Sequence, residues 1–334
     1  MRKTNLRKSR GITLIALVIT IIVLLILAGV AISMLSGENG ILRKATEAKT
    51  KTEEAQKEEE TALLSMELET HFQTTNSKYK CSNGLITGID ASISDTVIDP
   101  VSDLENALPD GYTIQKKIVY DTNTKELKEE KLENKENTNV STGMIVEKDG
   151  RTIATTIVYG DLNGNGEIDM SDVLLIQNYR SSIYKINGFI KVAMDVNFDG
   201  KINSQDLKII QDCYLEQATQ NQNKYASNPN NIIGETQDYI KEQYMQKLKQ
   251  KLEETSYTMT FNSGGIGLIK GPISEQMTVE GLLNILPDKE NIKLTDKSTT
   301  NEVTQDKERV LEIGDHIIYV YDGMEIQIAV VIGG

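Results

Sequence analysis

The chain has no tryptophan, five prolines, two cysteines and two histidines among its 334 residues. Each scarcity excludes something. A glycosidase needs only two carboxylates, and carboxylates are plentiful, but a sugar cleft also needs aromatic platforms. With aromatic residues at 5 % and no Trp, little is available to build one. His71 and His316 fall in separate elements, a helix end and a strand, so no Ser-His pair or histidine metal site is indicated. Cys81 and Cys213 are too few for a disulfide framework. Whether they pair or stay free thiols is left open, because bridging requires neighbouring Cα atoms. Positive charge is also short: 36 Lys and Arg against 49 Asp and Glu give a net charge of −13, which excludes the clustered basic surface that nucleic acid requires. There is no phosphate loop and no dinucleotide fingerprint. The expectation is a non-enzyme made of several small domains rather than one large core.

What the chain does have begins with an apolar run. Ile12 to Leu35 contains no charged residue, and as a helix rising 1.5 Å per residue it would cross a hydrocarbon core of ~30 Å. Arg2, Lys3, Arg7, Lys8 and Arg10 precede it and acidic residues follow. That asymmetry predicts a membrane anchor with the bulk of the chain extracytoplasmic, at the cell surface. Small residues at Ala28, Gly29 and Ala31 leave a cleaved signal peptide as the alternative. The junction Arg10-Gly11-Ile12-Thr13-Leu14-Ile15 resembles the prepilin processing motif. The resemblance implies cleavage after Gly11 and a mature chain starting at Ile12, as in a pilin-like subunit of an envelope filament or secretion system. Filament-forming members carry Glu at the fifth mature position, where this chain has Ala16. Beyond the run, Gly40 to Phe72 has helix-forming composition, with Glu47, Lys51, Glu54 and Lys57 spaced for pairing along one face, and reads as a stalk.

Two segments share a denser pattern. Asp161, Asn163, Asn165, Glu167, Asp169 and Asp172 occupy positions one, three, five, seven, nine and twelve of one loop, and Asp195, Asn197, Asp199, Lys201, Asn203 and Asp206 those of the other. Gly166 and Gly200 stand at position six, Ile168 and Ile202 at position eight. A hard cation such as calcium takes six to eight oxygens at ~2.3–2.6 Å. Alternating side-chain oxygens, a backbone carbonyl from Glu167 or Lys201, a glycine for the sharp turn and an apolar anchor are what such a loop needs. An apolar helical pattern follows each loop, through Val173–Ile176 and Leu207–Ile210, and none is evident before either. The expectation is two calcium ions.

The EF-hand ends its loop in Glu. Asp at position twelve of both loops, in a duplicated unit, resembles the dockerin type I module of clostridial-type surface proteins. The resemblance implies docking onto a cohesin-type partner, with recognition by the residues at positions ten and eleven, Met170, Ser171, Ser204 and Gln205. It also suggests a role as an accessory, non-catalytic subunit in polysaccharide degradation. Asn165 at position five and Met170 at position ten depart from the family pattern.

The flanks look like a repeat. Asn83-Gly84-Leu85-Ile86-Thr87-Gly88 and Asp149-Gly150 on one side are echoed by Ile266-Gly267-Leu268-Ile269-Lys270-Gly271 and Asp322-Gly323 on the other. Each flank reads as short strands around one small helix, with Asp-Gly as a hairpin signal. The expected fold is multidomain α+β. Residues 1–36 form the leader and transmembrane anchor, 37–75 a helical stalk and 76–160 a small β-rich α+β domain. Residues 161–218 form an all-α double calcium loop, 219–255 a linker and helix, and 256–334 a second small α+β domain. Gln217–Asn231 is linker by composition, and the stripe Tyr239, Ile240, Tyr244, Met245, Leu248 and Leu252 packs a helix on its neighbour.

Overall fold

The computed structural model describes residues 14–36, 41–90, 99–215, 220–271 and 276–333, and side chains of the first helix over 16–32. Gly11 and Ile12, the expected processing site, lie outside the described residues. The chain divides into two compact units, Met1–Leu63 and Leu64–Gly334.

The first unit holds α1 (Leu14–Ser36) and the start of α2 (Ile41–Thr74). Among the described residues, no helix is long and apolar enough to cross a membrane. This corrects the anchor expected over Ile12–Leu35. Along α2, Arg43 pairs with Glu47 at 2.8 Å and Lys49 with Glu53 at 3.7 Å, both exposed pairs one turn apart that support a helix only weakly.

In the second unit, the last turns of α2 are no solvated spacer. Leu68 and Phe72 are buried in the core of the first sheet, with Tyr79, Ile86, Leu104, Ile114 and Met144. That sheet contains β1 (Lys80–Ser82), β2 (Leu85–Thr87), β3 (Thr113–Asp121), β4 (Glu126–Lys131), β5 (Met144–Lys148) and β6 (Arg151–Thr156), with α3 (Val101–Ala107) between β2 and β3. Its order is β1-β2-β6-β5-β3-β4, and only β2 and β6 run parallel.

The central segment holds α4 (Met170–Arg180), α5 (Phe189–Met194), β7 (Lys201–Ile202) and α6 (Ser204–Tyr214), with β8 (Ile233–Gly234) following. α4 and α6 pack together over a core of Tyr159, Leu162, Leu175, Ile176, Val192, Ile202 and Ile210. The segment is not all-α: β7 pairs in parallel with β8. Nor do both loops lack an entering helix. α5 runs directly into Asp195, its C-cap, but six residues are too few to show helical periodicity in the sequence.

The last part holds α7 (Gln237–Leu252), β9 (Thr258–Phe261), β10 (Gly267–Lys270), α8 (Val279–Ile285), β11 (Ile292–Thr295), β12 (His316–Tyr321) and β13 (Met324–Gly333). Its sheet runs β9-β10-β13-β12-β11, with β10 and β13 parallel. Read in parallel with the first sheet, β1, β2, α3, β3, β5 and β6 correspond to β9, β10, α8, β11, β12 and β13. The connectivity is the same apart from the extra strand β4. The stripe on α7 faces this sheet, where Ile240, Tyr244, Leu248 and Leu252 are buried against β9 and β13. Asp149-Gly150 and Asp322-Gly323 form the β5–β6 and β12–β13 turns with both residues at positive φ, as a two-residue hairpin of matching twist requires.

Cys81 and Cys213 are both free and buried, in different cores. Gly143 is a point where the backbone admits no side chain. Its φ is +90°, its carbonyl accepts the Ile118 N–H at 2.7 Å, and an added Cβ would lie 2.1 Å from the Ile118 carbonyl oxygen. Gly143→Ala is expected to lower stability by about 2–4 kcal/mol, from left-handed strain plus displacement of β3. Gly150→Ala has a similar φ but open space around it and should cost only about 1 kcal/mol. Urea denaturation of the two variants tests this; equal losses would contradict it.

Candidate metal centre

The first loop leaves β6 through a buried turn at Asp161, and the second leaves α5 at Asp195. Inside each, backbone N–H groups converge on carboxylates in the same register. The position-twelve carboxylate accepts from positions two, three and nine: Asp172 from Leu162, Asn163 and Asp169 at 2.7, 3.1 and 2.8 Å, and Asp206 from Val196, Asn197 and Asn203 at 3.1, 3.3 and 3.0 Å. The position-one carboxylate accepts from positions five and six: Asp161 from Asn165 and Gly166 at 3.2 and 3.1 Å, and Asp195 from Asp199 and Gly200 at 3.1 and 3.2 Å. The amide oxygens of Asn163 and Asn197 accept from the backbone two residues on, and so do Asn165 and Asp199. These Asx-type turns curl the chain so that alternate oxygens face inward.

Positions nine to twelve are also the first turn of a helix. Asp169 caps α4 and Asn203 caps α6, each in a reciprocal box with the position-twelve Asp. The ligand pattern in the sequence is thus partly a capping pattern. Position four needs positive φ in both loops. Gly164 supplies it at +78°, whereas Phe198 adopts it at +65°, with its ring held edge-on against Tyr159 at 4.8 Å. Positive φ at a bulky residue costs roughly 1–2 kcal/mol.

The electrostatics ask for a cation. Asp161, Asp172 and Asp206 are fully buried, and Asp195 nearly so. Burial pushes Asp161 up to about 7, against the pull of N–H groups from Thr142, Gly164 and Gly166. Burial and then the charge of Asp161 push Asp172 well up. Burial pushes Asp195 up to about 6 and Asp206 up to about 7, with Asp199 adding like-charge repulsion in both cases. Among the described residues no cluster of three or more His, Cys, Asp or Glu side chains forms a metal site. The groups that could serve as donors at positions one, three, five and twelve are carboxylate and amide oxygens, and the carbonyls of Glu167 and Lys201 could add a backbone oxygen at position seven. An all-oxygen set of this kind fits calcium and not zinc or copper. The Lys201 ammonium is engaged elsewhere, with Glu235 at 3.1 Å.

Residues 159–226 match the family model of the dockerin type I domain. Comparison with curated proteins and with solved structures gave no match. The dockerin module is a calcium-binding, non-catalytic docking module, and the match ends where the chain returns to the first sheet. There Gln222 is buried: its carbonyl accepts the Gly88 N–H at 3.0 Å, and its side chain pairs with both backbone groups of Tyr159 at 2.8 Å. A stretch that reads as linker by its Gln and Asn content is therefore anchored at two buried points, Gln222 and Ala226, while most of its other described residues are exposed. Nothing local in the sequence marks the loop's outer supports either. Thr142 N–H reaches Asp161 Oδ2 at 2.8 Å, the Asn139 amide reaches the Gly166 carbonyl at 3.2 Å, and Lys117 reaches the Gly164 carbonyl at 2.9 Å. Of the residues at positions ten and eleven, Met170, Ser171 and Gln205 are exposed and Ser204 is half-buried.

The raised carboxylates set a pH dependence for the calcium-free protein. A carboxylate whose folded value lies above its unfolded one stabilises the fold below the unfolded value, near 4, and that contribution is lost as pH rises through about 6–7. In chelator, the melting temperature read by circular dichroism should therefore fall from pH 4.5 to 7.5. In millimolar calcium the fall should vanish or reverse, because the ion replaces the protons. Parallel curves in the two conditions would contradict the assignment.

Proposed function

We propose that this protein binds two calcium ions and uses the loaded dockerin module to dock a cohesin-type protein partner, with no catalytic role of its own. The observation that carries the reading is the register-for-register agreement of the two hydrogen-bond schemes, each closing on a buried pair of carboxylates. One degenerate loop would have lost that scheme. Asn163, Asn165, Asp169 and the Glu167 carbonyl complete the set around Asp161 and Asp172. Asn197, Asp199, Asn203 and the Lys201 carbonyl complete the one around Asp195 and Asp206. The ion's charge offsets the repulsion between the carboxylates and fixes the first turns of α4 and α6, where the partner-facing residues sit. Amide ligands in place of further carboxylates suit the calcium levels found outside cells, and we propose that the module works there.

Contacts across the first loop favour a second role in the same protein. Thr142, Asn139 and Lys117 tie the loop to the first sheet, so the bound ion would brace the domain before it.

Calorimetric titration of the full chain with calcium tests the proposal. Two ions per chain are expected. Asp172→Ala and Asp206→Ala should each remove one, since each strips the position-twelve ligand from one loop, and the double variant should bind none. Binding to a panel of cohesin modules should require calcium. A stoichiometry of one or zero, or panel binding that survives chelation, would overturn it.

A further inference from the structure

The two loops are alike inside but differ in what lies on them. At the end of the β12–β13 hairpin, Asp322 sits against the N-terminus of α6. Its carboxylate accepts the Ser204 N–H at 2.8 Å and the Ser204 hydroxyl, and it meets the Arg180 guanidinium at 2.5 Å. The Asp322 carbonyl accepts a further bond from Arg180 at 3.1 Å. Arg180 is 6 % exposed, so its end of the pair is withdrawn from water, while Asp322 is half-buried. A second tie lies beside it: Tyr321 donates to Glu235 at 3.0 Å, and Glu235 holds Lys201 of the second loop at 3.1 Å. The corresponding position on the first loop is open. Met170, the counterpart of Ser204, is 48 % exposed, and so is Leu174 one turn further along α4.

We infer that the Asp322 hairpin occupies the second loop's docking face in cis, so that the first loop's face, with Met170, Ser171 and Leu174, is the one open to a partner in trans. The use of the open face rests on the docking function proposed above; the closure of the other does not. The hairpin shows what the closed face accepts, namely a turn that presents a carboxylate to Ser204 and Arg180. The open face has Met170 and Leu174 where the closed one has Ser204 and Lys208. It fits a protein partner with an apolar contact surface rather than an acidic one.

Thiol labelling of the full chain in calcium tests this without any partner. Met170→Cys and Ser204→Cys are compared for their rate of reaction with a maleimide, and the parent chain, whose Cys81 and Cys213 are buried, serves as the blank. Met170→Cys should react freely, and Ser204→Cys at least roughly tenfold more slowly, because it reacts only when the hairpin opens. Adding Asp322→Ala should bring Ser204→Cys close to the Met170→Cys rate. Asp322→Asn, which keeps the side chain's size, should give a smaller rise if the alanine variant does not fold. Equal rates in the parent background would overturn the inference, as would a slow Ser204→Cys that neither Asp322 variant speeds. Failure of every cohesin module to bind would count against the docking function and leave the labelling result standing.

Discussion

Four buried carboxylates, Asp161, Asp172, Asp195 and Asp206, are the constraint on which the centre of this protein depends. Each accepts several backbone N–H groups, and those bonds fold the loops, cap the helices and set the angle at which α4 and α6 leave. The same burial that makes the bonds strong makes the charges costly, because two carboxylates in one closed loop repel each other in a medium that screens them poorly. Hydrogen bonds from N–H groups reduce that cost without removing it. A divalent cation removes it, and this is why an oxygen-lined loop of this shape is a folding element and a binding site at once.

The loops share one internal design and two different settings. The first is continuous with β6, and its position-one carboxylate is buttressed from outside by Thr142. The second follows α5 and is bounded by the β8 strand and the Asp322 hairpin. The flanking sheets therefore treat the module asymmetrically although they have the same connectivity. The first sheet grips a calcium loop from the side, whereas the last sheet reaches the end of a helix. An ion leaving the first loop would be felt by β3 and the strand connection before β5. An ion leaving the second would be felt by α6 and the linker into α7.

Much of this was legible in the sequence, for a physical reason. Helix capping and Asx turns are local, so twelve-residue windows contain them: Asp161 to Asp172 and Asp195 to Asp206 form their turns and caps within a single loop. The same holds for the Asp149-Gly150 and Asp322-Gly323 turns and for the buried stripe of α7. What could not be read was long-range or too short for a pattern. Gln222 bonds Tyr159, Thr142 bonds Asp161 and Asp322 bonds Ser204 across large sequence separations, and nothing local marks any of these residues. α5 and β7 are shorter than the window over which periodicity can be counted. The expected membrane anchor is a separate case: among the described residues no helix is long and apolar enough to cross a membrane.

Asp322 illustrates how a local signal can hide a second role. In sequence, Asp before Gly is sufficiently explained by the hairpin turn, where its φ of +47° suits a small polar residue. Asn or Gly would serve that turn as well. Only a carboxylate, however, answers Arg180, which is buried and would otherwise hold its charge in a poorly solvated position at a cost of several kcal/mol, about 3–5 by the behaviour of broken buried pairs. The turn therefore fixes where the residue stands, and Arg180 fixes what it must be. Arg180 belongs to the helix of the first loop and Ser204 to that of the second, so one side chain from the last sheet joins both halves of the module. That is more than a hairpin needs, and it ties the closed face to the packing of α4 on α6.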